Sequence, residues 1–323
     1  MEMTFVQAMN AGLREALDKD PSVFMMGEDI AHFGGMFRVT EGLLETYGPK
    51  RIVDTPISES GFIGMGLGAA LAGKKPVVEL MFIDFSLVAM DQLLNQIAKT
   101  FYMSGGRVPV PMTIITQGGG YKGAAAQHSQ MLETLLLHVP GLKVVCPSNP
   151  DDAKALLIDS IFDPNPVVFI EHKQLLMAKG EAGESQAKLG QASVVRTGSD
   201  MTILSYSYSL NLCKEAVVAT GVDAELIDLR TLNPLDWETI AASVKKTHRL
   251  LIVHESHARC GVGRDLAAQV QERLFDELDA PIRVHSGEDA PIPFAKSLED
   301  VVLPTVDSIA DAIRNVVAGR SVL

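Results

Sequence analysis

Cysteine is scarce in this sequence: Cys146, Cys213 and Cys260 lie far apart and form no Cys-x-x-Cys pair. Their number and spacing exclude a disulfide framework and the ordinary zinc and redox patterns, and predict reduced thiols acting as packing residues. Positive charge is also short. Against 40 Asp and Glu stand 28 Lys and Arg, giving a net charge of −12 with no basic cluster to neutralise phosphates, so a nucleic-acid partner is not expected. No apolar run reaches the roughly 20 residues that span a bilayer. The N-terminus MEMTFVQAMN enters a helical pattern without the basic and apolar regions of a secretory signal. A soluble, cytoplasmic protein with no membrane partner is the expectation. The sequence also contains no Walker lysine loop, Gly-x-Ser-x-Gly elbow or His-Glu-x-x-His helix, which removes the main support for triphosphatase and hydrolase chemistry.

What is present is a regular alternation of short apolar runs and helical stretches over 323 residues, a length that favours two domains. Thr4 can cap a helix whose apolar positions Phe5, Ala8, Met9, Gly12, Leu13, Ala16 and Leu17 recur at helical spacing, with Pro21 closing it. Strands are predicted at 23–26, 52–54, 77–82, 112–116, 142–146 and 167–171, with helices at 61–72, 86–102 and 150–162. Asn149 as cap and Pro150 as first residue open the last of these helices. The polar stretch AKGEAGESQAKLGQ at 178–191 reads as a linker. Beyond it the alternation restarts, with strands at 201–207, 224–229, 250–255 and 282–286 and helices at 208–220, 236–246, 263–278 and 306–318. The expected architecture is therefore α/β, two domains with mainly parallel sheets, at 1–180 and 192–323.

Three polar stretches follow strand-like runs, where α/β proteins build their sites: DTPISESGF at 54–62, ELMFIDF at 79–85 and AAAQHSQ at 124–130. They offer Glu59, Phe85 and His128. Singly, a loop glutamate is usually solvated and a phenylalanine is usually core; His128 sits in a Gly- and Ala-rich loop, where a structural and a functional role weigh equally. The stretch GFIGMGLGAALAG at 61–73 contains a Gly-x-Gly-x-x-Ala pattern, but nine residues separate it from the preceding strand. Close helix packing is the better reading than a dinucleotide site. His254 and His257, with Glu255 and Cys260 nearby, match no ordinary zinc spacing and read as loop residues.

Together, GED (27–29), RIVDTPISESGFIG (51–64), DQLLNQIAK (91–99), YMSGG (102–106), AAQHSQ (125–130), PGLKVVCPSNPDDAK (140–154), NPVVFIEHK (165–173) and PIPFAKSLED (291–300) make the chain resemble the beta subunits of thiamine diphosphate-dependent dehydrogenases in 2-oxoacid and acetoin dehydrogenase complexes. The resemblance runs over essentially the whole chain. It implies a pyrimidine-binding domain followed by a transketolase C-terminal-like domain, in an α2β2 assembly with an alpha subunit and with a lipoyl-bearing acyltransferase as downstream partner. It makes Glu59 the carboxyl that hydrogen-bonds the aminopyrimidine of the cofactor, Phe85 its stacking ring, and Ile57 and Met81 the walls of its pocket. It makes His128 the group facing the reacting carbon and assisting acyl transfer to the lipoyl arm. It further implies a structural potassium ion at positions Met112, Ser160, Ile161, Asp163 and Asn165, bound mostly by backbone carbonyls. The Gly-Asp-Gly motif that holds magnesium and diphosphate is missing, so the resemblance assigns that metal to the alpha subunit and Gly64, Gly66 and Gly68 to a subunit contact. ELMFIDF and EHK lean towards acetoin as substrate, while YMSGG and AAQHSQ also suit a 2-oxoacid such as pyruvate. A split transketolase half and a noncatalytic scaffold with the same fold are the alternatives.

Overall fold

The computed structural model describes residues 2–319. Its chain divides into two compact units, one formed by residues 2–118, 135–189 and 232–234, the other by 119–134, 190–231 and 235–319.

The first unit opens with β1 (Glu2–Thr4) and α1 (Phe5–Lys19). Thr4 is the N-cap: its hydroxyl accepts the Gln7 N–H at 3.2 Å and the Gln7 side chain accepts the Thr4 N–H at 2.9 Å, a reciprocal capping box. All seven apolar positions predicted for this helix are buried. There follow β2 (Val23–Gly27), α2 (Leu43–Tyr47), β3 (Ile52–Asp54), α3 (Glu59–Leu71) and β4 (Lys75–Leu80). The single helix expected at 86–102 is instead three segments: a 3-10 turn at Ile83–Leu87, a π segment at Gln92–Ile97 and α4 (Ala98–Met103). Asp91 explains part of the break, because its carboxylate accepts from both Asn95 and Gln96, four and five residues on, which matches a widened turn. The remaining elements are β5 (Thr113–Gly118), α5 (Glu133–Leu137), β6 (Lys143–Val145), α6 (Pro150–Phe162), β7 (Val167–His172) and β8 (Lys179–Glu181). Asn149 caps α6 by accepting the Asp152 N–H at 2.9 Å.

The second unit contains β9 (Ser193–Arg196), β10 (Met201–Ser205), α7 (Ser207–Thr220), β11 (Ala224–Asp228), α8 (Trp237–Thr247), β13 (Leu250–His257), α9 (Val262–Leu274), β14 (Arg283–Gly287), α10 (Lys296–Val302) and α11 (Val306–Val317), while β12 (Thr231–Asn233), between β11 and α8, joins the sheet of the first unit. Strand order in the larger sheet is β12-β6-β7-β5-β4-β2-β3, and in the smaller β14-β13-β10-β11-β9. Pairings from β6 through β3 are all parallel, and β9 alone runs antiparallel in the smaller sheet. β1 pairs with β8, so residues 179–181 of the predicted linker form a short strand. A mainly parallel α/β fold in two parts is the result, with near-continuous apolar strands buried on both faces. Cys146 and Cys213 are buried as expected, whereas Cys260 is exposed, with its backbone in the left-handed region at φ 52°, and is not a core residue.

Candidate active site

Parallel strands all present their carboxyl ends at one edge, so neighbouring strands bring the residues after them together. In the first unit β3, β2 and β4 are adjacent. Glu28 follows β2, Glu59 begins α3 after β3, and Met81 and Phe85 follow β4. The edge is tied by backbone and carboxylate bonds. The Thr55 N–H donates to Gly27 O at 2.9 Å, and Asp54 Oδ1 accepts the Ala31 N–H at 2.6 Å.

Glu59 is the first helical residue of α3 and is 9 % exposed, so the predicted loop glutamate is a nearly buried helix-start carboxylate. A negative charge is favoured there by the unpaired N–H groups of the first turn. Glu28 is buried as well; burial first, then the charges of Glu59 and Asp29, raise its carboxyl above the ordinary value. One oxygen of Glu28 has no partner within the described residues. Phe85 stands edge-on to Phe82 at 5.6 Å, and Phe82 edge-on to Phe37 at 5.7 Å, an aromatic shelf that is partly open to solvent. Lys173 Nζ lies 5.3 Å from the Phe82 ring centre. Ile57 does not pack over Glu59 within this chain: it is 84 % exposed, in the irregular link between β3 and α3.

Beside this edge runs a buried polar band that the sequence reading did not single out. Gln117 on β5 donates to Glu171 on β7 at 2.6 Å, and Glu79 is on β4, on the same face of the sheet. Burial, then the charge of Glu171, lifts Glu79 to about 8, and burial lifts Glu171 to about 7. The available signal was a carboxylate set within or at the end of an otherwise apolar run, as in VVELMF and VVFIE.

His128 belongs to the second unit, in the 119–134 segment after β5, and is half-buried. Glu59 belongs to the first unit. The glycine stretch lies inside α3, not at its start, which removes the pyrophosphate reading. A Cβ at Gly66 would come within 2.6 Å of Met112 Cε and 2.9 Å of Val78 Cγ2, so Gly66 serves packing inside the chain, while a Cβ at Gly68 would meet nothing within 4 Å.

At the positions named for potassium, Met112 O accepts the Val167 N–H, Ser160 O accepts the Asp163 N–H, and Asp163 takes Lys143 Nζ at 2.5 Å and the Asn165 N–H at 2.8 Å. The Asp163 carboxylate is thus engaged, and Ile161 is buried in α6. His254 is buried, its Nδ1 meets Ser256 Oγ at 2.9 Å, and burial holds it down at about 3. A Cβ on Gly263 would stand 2.6 Å from its Nε2, so the close approach of α9 to this imidazole needs a glycine. No cluster of metal-ligating side chains occurs among the described residues, and none of their helices is long and apolar enough to cross a membrane.

Comparison with known proteins identifies the family and the fold. The profile described as "Transketolase, pyrimidine binding domain" matches residues 1–179, and "Transketolase, C-terminal domain" matches 190–309. Their succession defines a two-domain transketolase-type chain. A solved split-gene transketolase, described as an inactive beta4 tetramer, shares the fold with a TM-score of 0.80 over 99 % of both chains at 19 % identity. Sequence similarity is narrower in what it covers. The chain is 43 % identical to the pyruvate dehydrogenase E1 component subunit beta of Rickettsia felis over 98 % of each chain, and 43 % identical to the human mitochondrial one over 97 % of this chain and 90 % of that. It is equally 43 % identical to the beta subunit of the acetoin:2,6-dichlorophenolindophenol oxidoreductase of Cupriavidus necator, covering 97 % and 96 %. The chain belongs to the family of transketolase-type beta subunits that serve 2-oxoacid and acetoin dehydrogenases.

Proposed function

We propose that this chain is the beta half of a thiamine diphosphate-dependent dehydrogenase that decarboxylates a 2-oxoacid of the pyruvate type or cleaves acetoin, and passes the acyl unit to a lipoyl group on an acyltransferase core. The observation that carries this reading is similarity over nearly the whole length to beta subunits of both kinds, at the same 43 % identity. That equality leaves pyruvate and acetoin as equal candidates. An alpha subunit completes the enzyme in an α2β2 assembly, in the cytoplasm, and brings the magnesium and diphosphate site that this sequence lacks; a structural potassium ion would rest on the backbone carbonyls of Met112, Ser160, Ile161, Asp163 and Asn165.

The donor set suits a thiamine pyrimidine: a nearly buried carboxyl at a helix start, an aromatic shelf, and an exposed aliphatic side chain free to cover a ligand. When bound, thiamine diphosphate would supply a nucleophilic carbon for the substrate carbonyl and an electron sink for the bond that breaks. Glu59 then holds a proton at a pyrimidine nitrogen, and its burial keeps water from competing for that bond. Phe85 orients the ring, and Met81 and Ile57 close its flanks. His128 delivers a proton to the substrate oxygen and takes it back as the acyl unit leaves for the lipoyl sulfur, since an imidazole can both donate and accept a proton.

The test is reconstitution. The purified chain should show no turnover alone and should gain it with its alpha partner, with pyruvate, branched-chain 2-oxoacids and acetoin compared under steady-state conditions. Inactivity with the partner present would favour a scaffold, and product passing to a ketose acceptor in place of lipoamide would favour a split transketolase.

A further inference from the structure

The segment that carries His128 is held by carboxylates of its own unit. Gly120 donates its N–H to Glu255 Oε1 at 2.6 Å, and Gly123 donates to both oxygens of Glu299 at 3.3 and 3.4 Å. Glu255 is on β13 and Glu299 on α10, and both are buried, at 5 % and 0 % exposure. Tyr121 adds a third tie, its hydroxyl donating to Pro304 O at 2.9 Å. At its base the Gly119 N–H donates to Gln130 O at 3.0 Å, and Glu133 beyond accepts from Tyr206 and Ser256, each at 2.6 Å.

Between these ties the backbone is strained. Tyr121 and Ala125 have φ of 64° and 63°, in the left-handed region that costs side-chain-bearing residues free energy, and Gly123 between them is at 64°. A chain left to itself would relax such a path. Buried side-chain oxygens that accept these backbone N–H groups satisfy donors that would otherwise be left unpaired, and so can hold it. Gly120 fits the clamp sterically, since a Cβ there would fall 2.5 Å from Leu303 Cδ1.

We propose that Glu255 and Glu299 are positioning residues, a pair of backbone clamps from β13 and α10 that fix the 119–130 loop and so aim His128 at the acyl-transfer step. The assignment rests on the reading of His128 given above. A side-chain acceptor is what the clamp needs, so glutamine should serve at either position and alanine should not.

The experiment uses the complex reconstituted with its alpha partner and compares E255A/E299A with E255Q/E299Q. Hydrogen exchange is followed over residues 118–132, and the rate with a lipoyl acceptor is divided by the rate with an artificial oxidant that needs no lipoyl arm. Expected for the alanine pair is exchange at least tenfold faster in that segment alone and a ratio lowered about tenfold, with both restored in the glutamine pair. Unchanged exchange in the alanine pair overturns the clamp, and faster exchange with an unchanged ratio while H128A lowers it overturns the aiming role. Should H128A itself keep the ratio, the reading of His128 fails separately, and the aiming role falls with it even if exchange shows the loop to be clamped.

Discussion

Glu59 illustrates how little a single residue's sequence context reveals. A glutamate in a Pro- and Gly-flanked stretch reads as solvated charge, yet the fold starts a helix on it and leaves it 9 % exposed. Because it contributes little packing, Glu59→Ala should keep the reconstituted complex assembled, by size-exclusion chromatography, while lowering turnover at least about 100-fold, the usual weight of a positioned proton-transfer group. Normal turnover would end its assignment. Glu79 supports a different prediction. Its folded carboxyl titrates at about 8 against an ordinary 4.5, so between those values the folded state binds the proton that the unfolded chain releases. The stabilising contribution is complete below pH 4.5 and is lost as pH rises through 8. Thermal melts from pH 5 to 8 should show a declining midpoint in the parent and a flatter one in Glu79→Gln; parallel curves would show that Glu79 does not carry the decline.

At the scale of elements, local patterns worked where one helix or strand could be judged alone. The caps and buried face of α1 and the start of α6 follow from neighbours three and four residues apart. Where side chains several residues apart compete for one backbone, the pattern misled, as in the 3-10 and π interruptions before α4. The glycines of α3 separate two kinds of contact that composition cannot distinguish. Gly66→Ala should destabilise the isolated chain by about 1–3 kcal/mol, since Met112 and Val78 must yield to the new methyl. Gly68→Ala should be neutral or gain up to about 1 kcal/mol, as alanine is the better helix former and the space is open. Urea denaturation of the two variants measures both. If Gly68→Ala also weakens assembly with the alpha partner, that face of the helix is a subunit contact.

The whole molecule is an acidic, two-unit chain without a Gly-Asp-Gly site. Thiamine diphosphate and magnesium should therefore give no saturable heat by calorimetry with the chain alone and a clear isotherm once the alpha partner is present; tight binding to the lone chain would contradict a shared site.

Periodicity and capping signals alone determined the parallel α/β class, most strands and the α1 and α6 caps, because each depends on short-range spacing of apolar and capping residues, while the site positions followed from resemblance over ordered motifs. Only the tertiary structure decided that Glu28, Glu59 and Phe85 share a strand edge, that Glu79 and Glu171 are buried in the sheet, that Ile57 points into solvent, and that the His128 loop is tied by Glu255 and Glu299. These depend on strand order and on partners as far as 176 residues away, information that no local window of sequence contains.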